Sequence, residues 1–465
     1  MNKDSSQSAL LWIVAAGFFM QALDTTIVNT ALPSIAISLH ESPLAMRSIV
    51  VAYTLTMALL TPASGWLADR FGTRRVYFTA ILIFVLGSIC CSNALTLNQL
   101  VFARVLQGIG GSMLLPIGRL AVLRRMSGEK FVSAIATVAI AGQAGPVVGP
   151  TLGGWFAEVL SWHWIFLINV PIGVLGLVAV SRYLPRETVG KAPPFDMLGC
   201  TLLSLAMIAF SLATDAPVDT HRGPWTVGLL VAGLVVTVGY VVYAKRRVNP
   251  IFSLGLFRGR NYRVGLVGNL VSRIGSSAVP FLLPLLMQLQ LGFTPLHSGL
   301  MLLPAALTGI VAKSWIAPLV RRYGYRAFLL VNTLIVGGAI IAFSLITVDT
   351  PLVVTIVVLA VFGAANSMQF AAMNSVTLKD LSNVDAGSGN SLFSMVQMLA
   401  MGLGVSIGGG IVHVLAGRYS AAIGFRLGFV CVGLVTLLSA LVFRLLESKS
   451  EAARQVQQTP QRAEQ

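Results

Sequence analysis

Gly65-Trp66-Leu67-Ala68-Asp69-Arg70-Phe71-Gly72-Thr73-Arg74-Arg75 stands between two long apolar runs. Ala317-Pro318-Leu319-Val320-Arg321-Arg322-Tyr323-Gly324-Tyr325-Arg326 closes a later run in the same way, and the matching glycines lie 252 residues apart. A second pair, Gly108-Ile109-Gly110-Gly111-Ser112-Met113 and Gly363-Ala364-Ala365-Asn366-Ser367-Met368, repeats at an offset of 255. Two matches at nearly one offset predict a duplicated helical unit, the usual internal symmetry of multi-span transporters. The shorter match taken alone is also compatible with chance.

The runs themselves set the class. Of 465 residues, 56% are hydrophobic and 10% charged, whereas a soluble domain carries about 25% charged residues. So few charges do not cover a soluble surface of this size. A membrane helix needs about 20 mostly apolar residues. Such runs fall near 9–33, 45–66, 76–94, 97–118, 131–157, 162–181, 197–214 and 225–244, then 264–290, 298–320, 327–347, 351–377, 389–416 and 424–443. The expected fold is therefore an all-α polytopic membrane protein with fourteen transmembrane helices. The repeat pairs spans 2 with 10 and 4 with 12, which gives two six-helix bundles with two inserted central helices. The expected divisions are 1–190, an inserted pair at 191–250, 251–447, and a polar cytoplasmic tail at 448–465.

Charge then orients the spans. The formal net charge is +16, from 32 Lys and Arg against 16 Asp and Glu. Twenty-five of those cations fall in the loops and termini of one side and four in the opposite loops (Arg47, Arg222, Arg418 and Arg426). Cytoplasmic loops carry the excess of Lys and Arg, so both termini are expected in the cytoplasm. Most of the basic character is topology and not a nucleic-acid signal. Cys90, Cys91, Cys200 and Cys431 lie in apolar runs without metal-like spacing, so neither a disulfide framework nor a metal site is expected. The first apolar run has no small-residue cleavage site behind it and reads as a retained membrane helix. No Walker A pattern occurs. ATP is therefore not expected as the energy source, and an ion gradient remains. No cofactor is expected, nor an enzymatic activity, since no catalytic constellation lies in a loop.

The motifs resemble those of the major facilitator superfamily. Gly65 to Arg75 looks like its loop signature, and Arg104-Val105-Leu106-Gln107-Gly108-Ile109-Gly110 is similar to its fourth-helix motif. Gly145-Pro146-Val147-Val148-Gly149-Pro150-Thr151-Leu152-Gly153-Gly154 resembles the fifth-helix motif of its antiporters. Leu23-Asp24-Thr25-Thr26-Ile27-Val28-Asn29-Thr30-Ala31-Leu32-Pro33 resembles the first-helix signature of the fourteen-span drug:proton antiporter branch. Trp162 to Pro171 is another mark of that branch, although arginine is usual where His163 stands. The resemblance covers essentially the whole chain. It implies a proton-coupled secondary exporter working by alternating access, with multidrug efflux as the family-weighted substrate class. It also implies a bacterial inner-membrane location, with a small-molecule substrate, protons and the lipid bilayer as partners, and a monomer is expected.

Individual residues carry sharper expectations. Asp24 is the only acid well inside the hydrocarbon region, where an ionised carboxylate is costly and marks function by default. It is the candidate proton-coupling group; the alternative is a carboxyl that merely hydrogen-bonds Thr25 or a neighbouring helix. The resemblance implies that Arg104 shares that role, against a structural hydrogen-bond hub. Arg273 and Lys313 also fall inside spans, so three embedded cations face one embedded acid. With Asn29, Gln107 and Gln143 they form the expected substrate-cavity set. A cavity with that charge favours an anionic or metal-chelating substrate such as an organic acid, the alternative to drug efflux. For Lys313 the competing reading is snorkelling to the cytoplasm, and for Arg273 a structural pair. The expected gating residues are Gly65, Asp69, Arg70, Gly72 and Arg74 in the loop, with Gly145, Pro146, Gly149 and Gly153 in the fifth span. Asp69 is expected to pair with Arg70, Arg74 or a helix N-terminus, unless the loop serves topology alone. Glycines four residues apart let two helices approach closely, so plain packing competes with gating for that stripe. Methionines on spans 12 and 13 read as core packing more readily than as a promiscuous binding surface.

Overall fold

In the computed structural model the described residues are 3–124, 128–184, 194–215, 223–247, 250–379, 381 and 386–447. The tail at 448–465 and the expected division at 190 lie outside them. Every regular element among the described residues is helical. In hydrocarbon each backbone N–H and C=O must be satisfied within its own segment, and a helix does this. The helices are α1 Lys3–Ser38, α2 Arg47–Leu60, α3 Ser64–Phe71, α4 Thr73–Ser92, α5 Leu97–Leu123, α6 Gly128–Trp155, α7 Trp164–Leu167, α8 Asn169–Tyr183, α9 Met197–Asp215 and α10 Gly223–Arg246. They continue as α11 Arg260–Ser276, α12 Val279–Leu289, α13 Pro295–Met301, α14 Leu303–Ala312, α15 Ile316–Ala342, α16 Leu352–Leu378, α17 Ala386–Arg418 and α18 Ala421–Phe443.

Twelve segments of the described residues are long and apolar enough to cross a membrane, against the fourteen runs of the sequence reading. Two places account for the difference. Residues 298–320 and nearly all of 327–347 fall within one continuous segment, Pro295–Leu345, of 51 residues. The run at 131–157 coincides with α6, a 28-residue helix absent from the twelve. Within α15 the helix breaks at Gly324, where φ is 79°. Gly72, its counterpart in the repeat, ends α3 at φ 84°. Both glycines occupy the left-handed region that other L-residues rarely adopt. That shared conformation is the physical content of the 252-residue match.

Two sets of helices pack among themselves. α1 lies along α6 and touches α5 and α8, while α4 packs on α5 and α8, and α2 on α5. In the second set α11, α15, α16, α17 and α18 pack on one another, with α14 against α16. α9 and α10 pair, and α9 reaches α2 and α17 at the seam between the sets. The main cross-seam contacts are α2 with α17 and α6 with α13. Arg119, one of the twenty-five cations that the charge pattern assigns to loops and termini, lies instead inside the apolar segment Leu97–Val122 of α5.

Candidate functional site

α1 and α5 meet over two fully buried charges. Arg104 Nη1 stands 2.7 Å from Asp24 Oδ2, and neither side chain is more than 2% exposed. The other carboxylate oxygen accepts from Gln107 Nε2 at 2.8 Å and Asn169 Nδ2 at 3.2 Å. Gln107 lies three residues beyond Arg104, so helical spacing brings both to the face that meets α1. Its amide oxygen accepts from Arg104 Nη1 at 2.7 Å, and its nitrogen also donates to Ser88. Arg104 Nε donates to the Ile49 carbonyl, and the guanidinium carbon sits 4.1 Å from the Tyr53 ring centre. Five helices, α1, α2, α4, α5 and α8, thus contribute to the network around one carboxylate. Small residues permit the approach: a Cβ on Gly87 would stand 2.6 Å from the Gln107 backbone, and one on Gly108 3.0 Å from the Tyr53 carbonyl.

A cavity of about 430 Å³ lies at the seam. Asn29, Gln143, Arg273 and Lys313 line it, together with Pro146, Pro150, Ser276, Asn366 and Phe370. Gln107, expected on this wall, belongs instead to the sealed Asp24 network; its direction of projection was undetermined by sequence. Asp24 and Arg104 also do not reach the cavity. Lys313 sits in the turn Lys313–Trp315 between α14 and α15 and donates to Gln143 Oε1 across the seam at 2.6 Å. The Arg273 guanidinium lies 4.0 Å from the Phe370 ring centre, a stacking that suits a planar cation. Its Nε has no hydrogen-bond partner among the described residues, and neither do Asn29 Oδ1 or either amide atom of Asn269.

The seam is closed at the end of α6 that follows Pro150. A Cβ on Gly154 would meet the Pro295 carbonyl at 2.2 Å, and one on Gly299 the Pro150 carbonyl at 2.3 Å. Gln288 Nε2 donates to the Thr30 carbonyl at 2.8 Å, and the Leu296 N–H donates to Glu158 Oε2 at 2.9 Å. That backbone N–H, helped by the Thr294 side chain and nearby His297, holds the exposed Glu158 carboxyl below its usual range. The contact is therefore present at neutral pH and is lost only as pH falls through that lowered value. Gly145, Gly149 and Gly153 do not meet across the seam. They press α6 onto α1, against Leu23, Thr26 and Ile27. Close approach was legible in their spacing, but the partner was not; Gly154, on the adjacent face, is the residue at the seam.

The loop motif is arranged within the first set of helices. Asp69 pairs with Arg124 at the end of α5, with 2.6 Å between Nη2 and Oδ1, rather than with Arg70 or Arg74. Arg124 also donates to Thr73 Oγ1, and Arg74 donates to the Ser181 carbonyl. Arg70 is exposed, and no atom lies near the position a Gly65 Cβ would take. An exposed pair of this kind contributes about 0–1 kcal/mol. Arg124→Ala is therefore expected to move the thermal unfolding midpoint in detergent by no more than a few degrees, while changing transport rate if the loop gates.

A family model described as Major Facilitator Superfamily matches residues 14–405. Relatives named MdtD, provisionally designated multidrug resistance proteins, include one from Yersinia enterocolitica, 44% identical over 94% of both chains. Another from Serratia proteamaculans is 44% identical over 97% of this chain and 96% of its own. Among solved structures, an auto-inhibited POT family peptide transporter aligns with TM-score 0.73 at 16% identity, covering 96% of this chain and 98% of that one. A D-xylose-proton symporter aligns with TM-score 0.69 at 13% identity, covering 95% and 98%. These two likenesses concern the fold. The chain belongs to the Major Facilitator Superfamily, as a multi-pass membrane transporter of small molecules and not an enzyme.

Proposed function

We propose that the protein is a proton-coupled exporter working by alternating access, with multidrug efflux as its substrate class. The observation that carries this reading is the seam cavity, shut at one end by backbone-to-glycine contacts and flanked by a sealed Asp24–Arg104 pair. A carboxylate held by three donors from α5 and α8 changes all three contacts when it gains a proton, so protonation and helix packing are linked there. The MdtD relatives supply the substrate class.

The proposed topology has fourteen crossings. Pro295–Leu345 would be about 75 Å of helix at 1.5 Å per residue, against a hydrocarbon core of about 30 Å. Broken at Gly324, it supplies two crossings, and α6 supplies another. Residues 1–190 and 251–447 are then the two six-helix halves, 191–250 the inserted pair and 448–465 a tail. With both termini in the cytoplasm of a bacterial inner membrane, as the charge asymmetry supports, the closed end at Gly154 and Gly299 faces outward. The cavity then belongs to an inward-facing state of a monomer that draws on protons and not ATP.

A second reading has its own support. The described cavity wall holds two cations, Arg273 and Lys313, and no carboxylate, so export of an anionic metabolite or metal chelate such as an organic acid is the alternative. A proteoliposome screen of cationic dyes and carboxylates under a fixed pH gradient separates the two. Drug efflux predicts dye transport that survives Arg273→Ala. The anion reading predicts carboxylate flux that falls more than tenfold in Arg273→Ala and Lys313→Ala, and carboxylate flux unchanged by both removes it.

A further inference from the structure

We infer that Lys313 is a second proton site of the transporter, the one at which a proton and a cationic substrate exclude each other. The inference rests on the proton-coupled reading above. Antiport requires that proton and substrate disfavour each other's binding, and a titratable group that shares space with the substrate does this directly, beside any indirect link through helix packing. Asp24 does not share that space: the carboxylate is fully buried behind Arg104, Gln107 and Asn169 and lines no part of the cavity.

On the described cavity wall the ionisable groups are Arg273 and Lys313. Arginine stays protonated at any accessible pH, whereas a lysine in a poorly solvated site can give its proton up. Lys313 is half-buried, and its ammonium is held by a neutral oxygen, Gln143 Oε1, from the other side of the seam. No described carboxylate pairs with it. The elements against it bring few charges: Gln143 from α6, Asn366 and Ser367 from α16, and Arg273 from α11 across the cavity. Arg321 and Arg322 follow on α15 and are exposed.

A substrate cation sharing this cavity stands within about 8 Å of the ammonium. At an effective dielectric constant of about 20, that repulsion weakens binding about thirty-fold. Loss of the proton to cavity water removes it, leaving the electron pair on the neutral amine. By linkage, a cation that binds better to the deprotonated form must expel the proton on binding. The bridge to Gln143 loses its charge in the same step, so substrate entry also loosens a contact between the two sides of the seam.

The test uses the purified full-length protein in nanodiscs, with ethidium as the cation and a pH-indicator dye in weak buffer, between pH 6 and 10. Wild type is expected to release up to one proton per ethidium bound, with affinity rising by as much as tenfold per pH unit over part of that range. Lys313→Arg, with its permanent charge, is expected to release none and bind weakly at every pH. Lys313→Gln is expected to bind tightly, independently of pH, again without release. Asp24→Asn is expected to keep the release. Wild-type release in Lys313→Arg, pH-dependent affinity in Lys313→Gln, or no ethidium binding by wild type anywhere in the range would each overturn the assignment. Gradient-driven flux in proteoliposomes is a separate measurement, and its absence would count against the exporter reading alone.

Discussion

Arg104→Ala is expected to destabilise the protein by about 3–5 kcal/mol, because Asp24 then remains as a buried carboxylate without its cation. The loss extends beyond the pair. Gln107 and Ile49 lose a donor, and Tyr53 loses the guanidinium stacked on its ring. Asp24→Asn is expected to cost less, since an amide still accepts from Arg104, while Arg104 keeps Gln107 Oε1 and the Ile49 carbonyl. Proton-driven flux should nevertheless fall more than tenfold in Asp24→Asn, because the amide cannot exchange a proton. The double variant Asp24→Asn with Arg104→Ala should recover part of the stability lost in Arg104→Ala, because no charge is then left buried without a partner. Thermal unfolding in detergent micelles, read as a double-mutant cycle, measures the coupling. A coupling energy near zero would mean that the two side chains are not partners.

The second large effect is conformational. Gly154→Ala and Gly299→Ala each place a Cβ within 2.3 Å of a carbonyl oxygen across the seam. Backbone cannot swing aside as the end of a side chain can, so the two sides have to part at that end. The variants are expected to shift the population toward the conformation open there and to lower net transport more than tenfold. Spin-label distances across the seam near residues 158 and 296 should lengthen. Gly145→Ala is the control: its Cβ meets the Leu23 backbone N at 2.6 Å within the first set of helices. That change should destabilise without lengthening the cross-seam distance.

Apolar runs, breaks and loop charge made much of the helical layout legible in the sequence, since length and hydropathy alone define a candidate crossing. Gly72 and Gly324 were matched by their neighbours, and their common positive φ explains why glycine stands at both. The site was less legible wherever the answer depended on which helix lies opposite. Gln107 shares a helix face with Arg104, and spacing alone did not reveal that α1 covers that face. The glycines at 145, 149 and 153 announced a close approach, and only the packing of α1 identified the partner. Asp69 finds Arg124, distant in sequence, because α3 and α5 end side by side. Arg119 was misplaced because a charged residue near a helix end reads as loop until the helix is seen to continue past it. Tyr53 and Asn169 complete the Asp24 network, yet no local pattern gave them that role.

On the proposed function, substrate export and proton entry are one coupled process. The most direct test of that coupling is proton movement into or out of sealed proteoliposomes carrying a substrate gradient and no imposed pH gradient. Coupled antiport predicts that substrate leaving down its gradient drives protons in the opposite direction, and that Asp24→Asn abolishes this counterflow. Substrate flux that proceeds at the wild-type rate with no accompanying proton movement would contradict it.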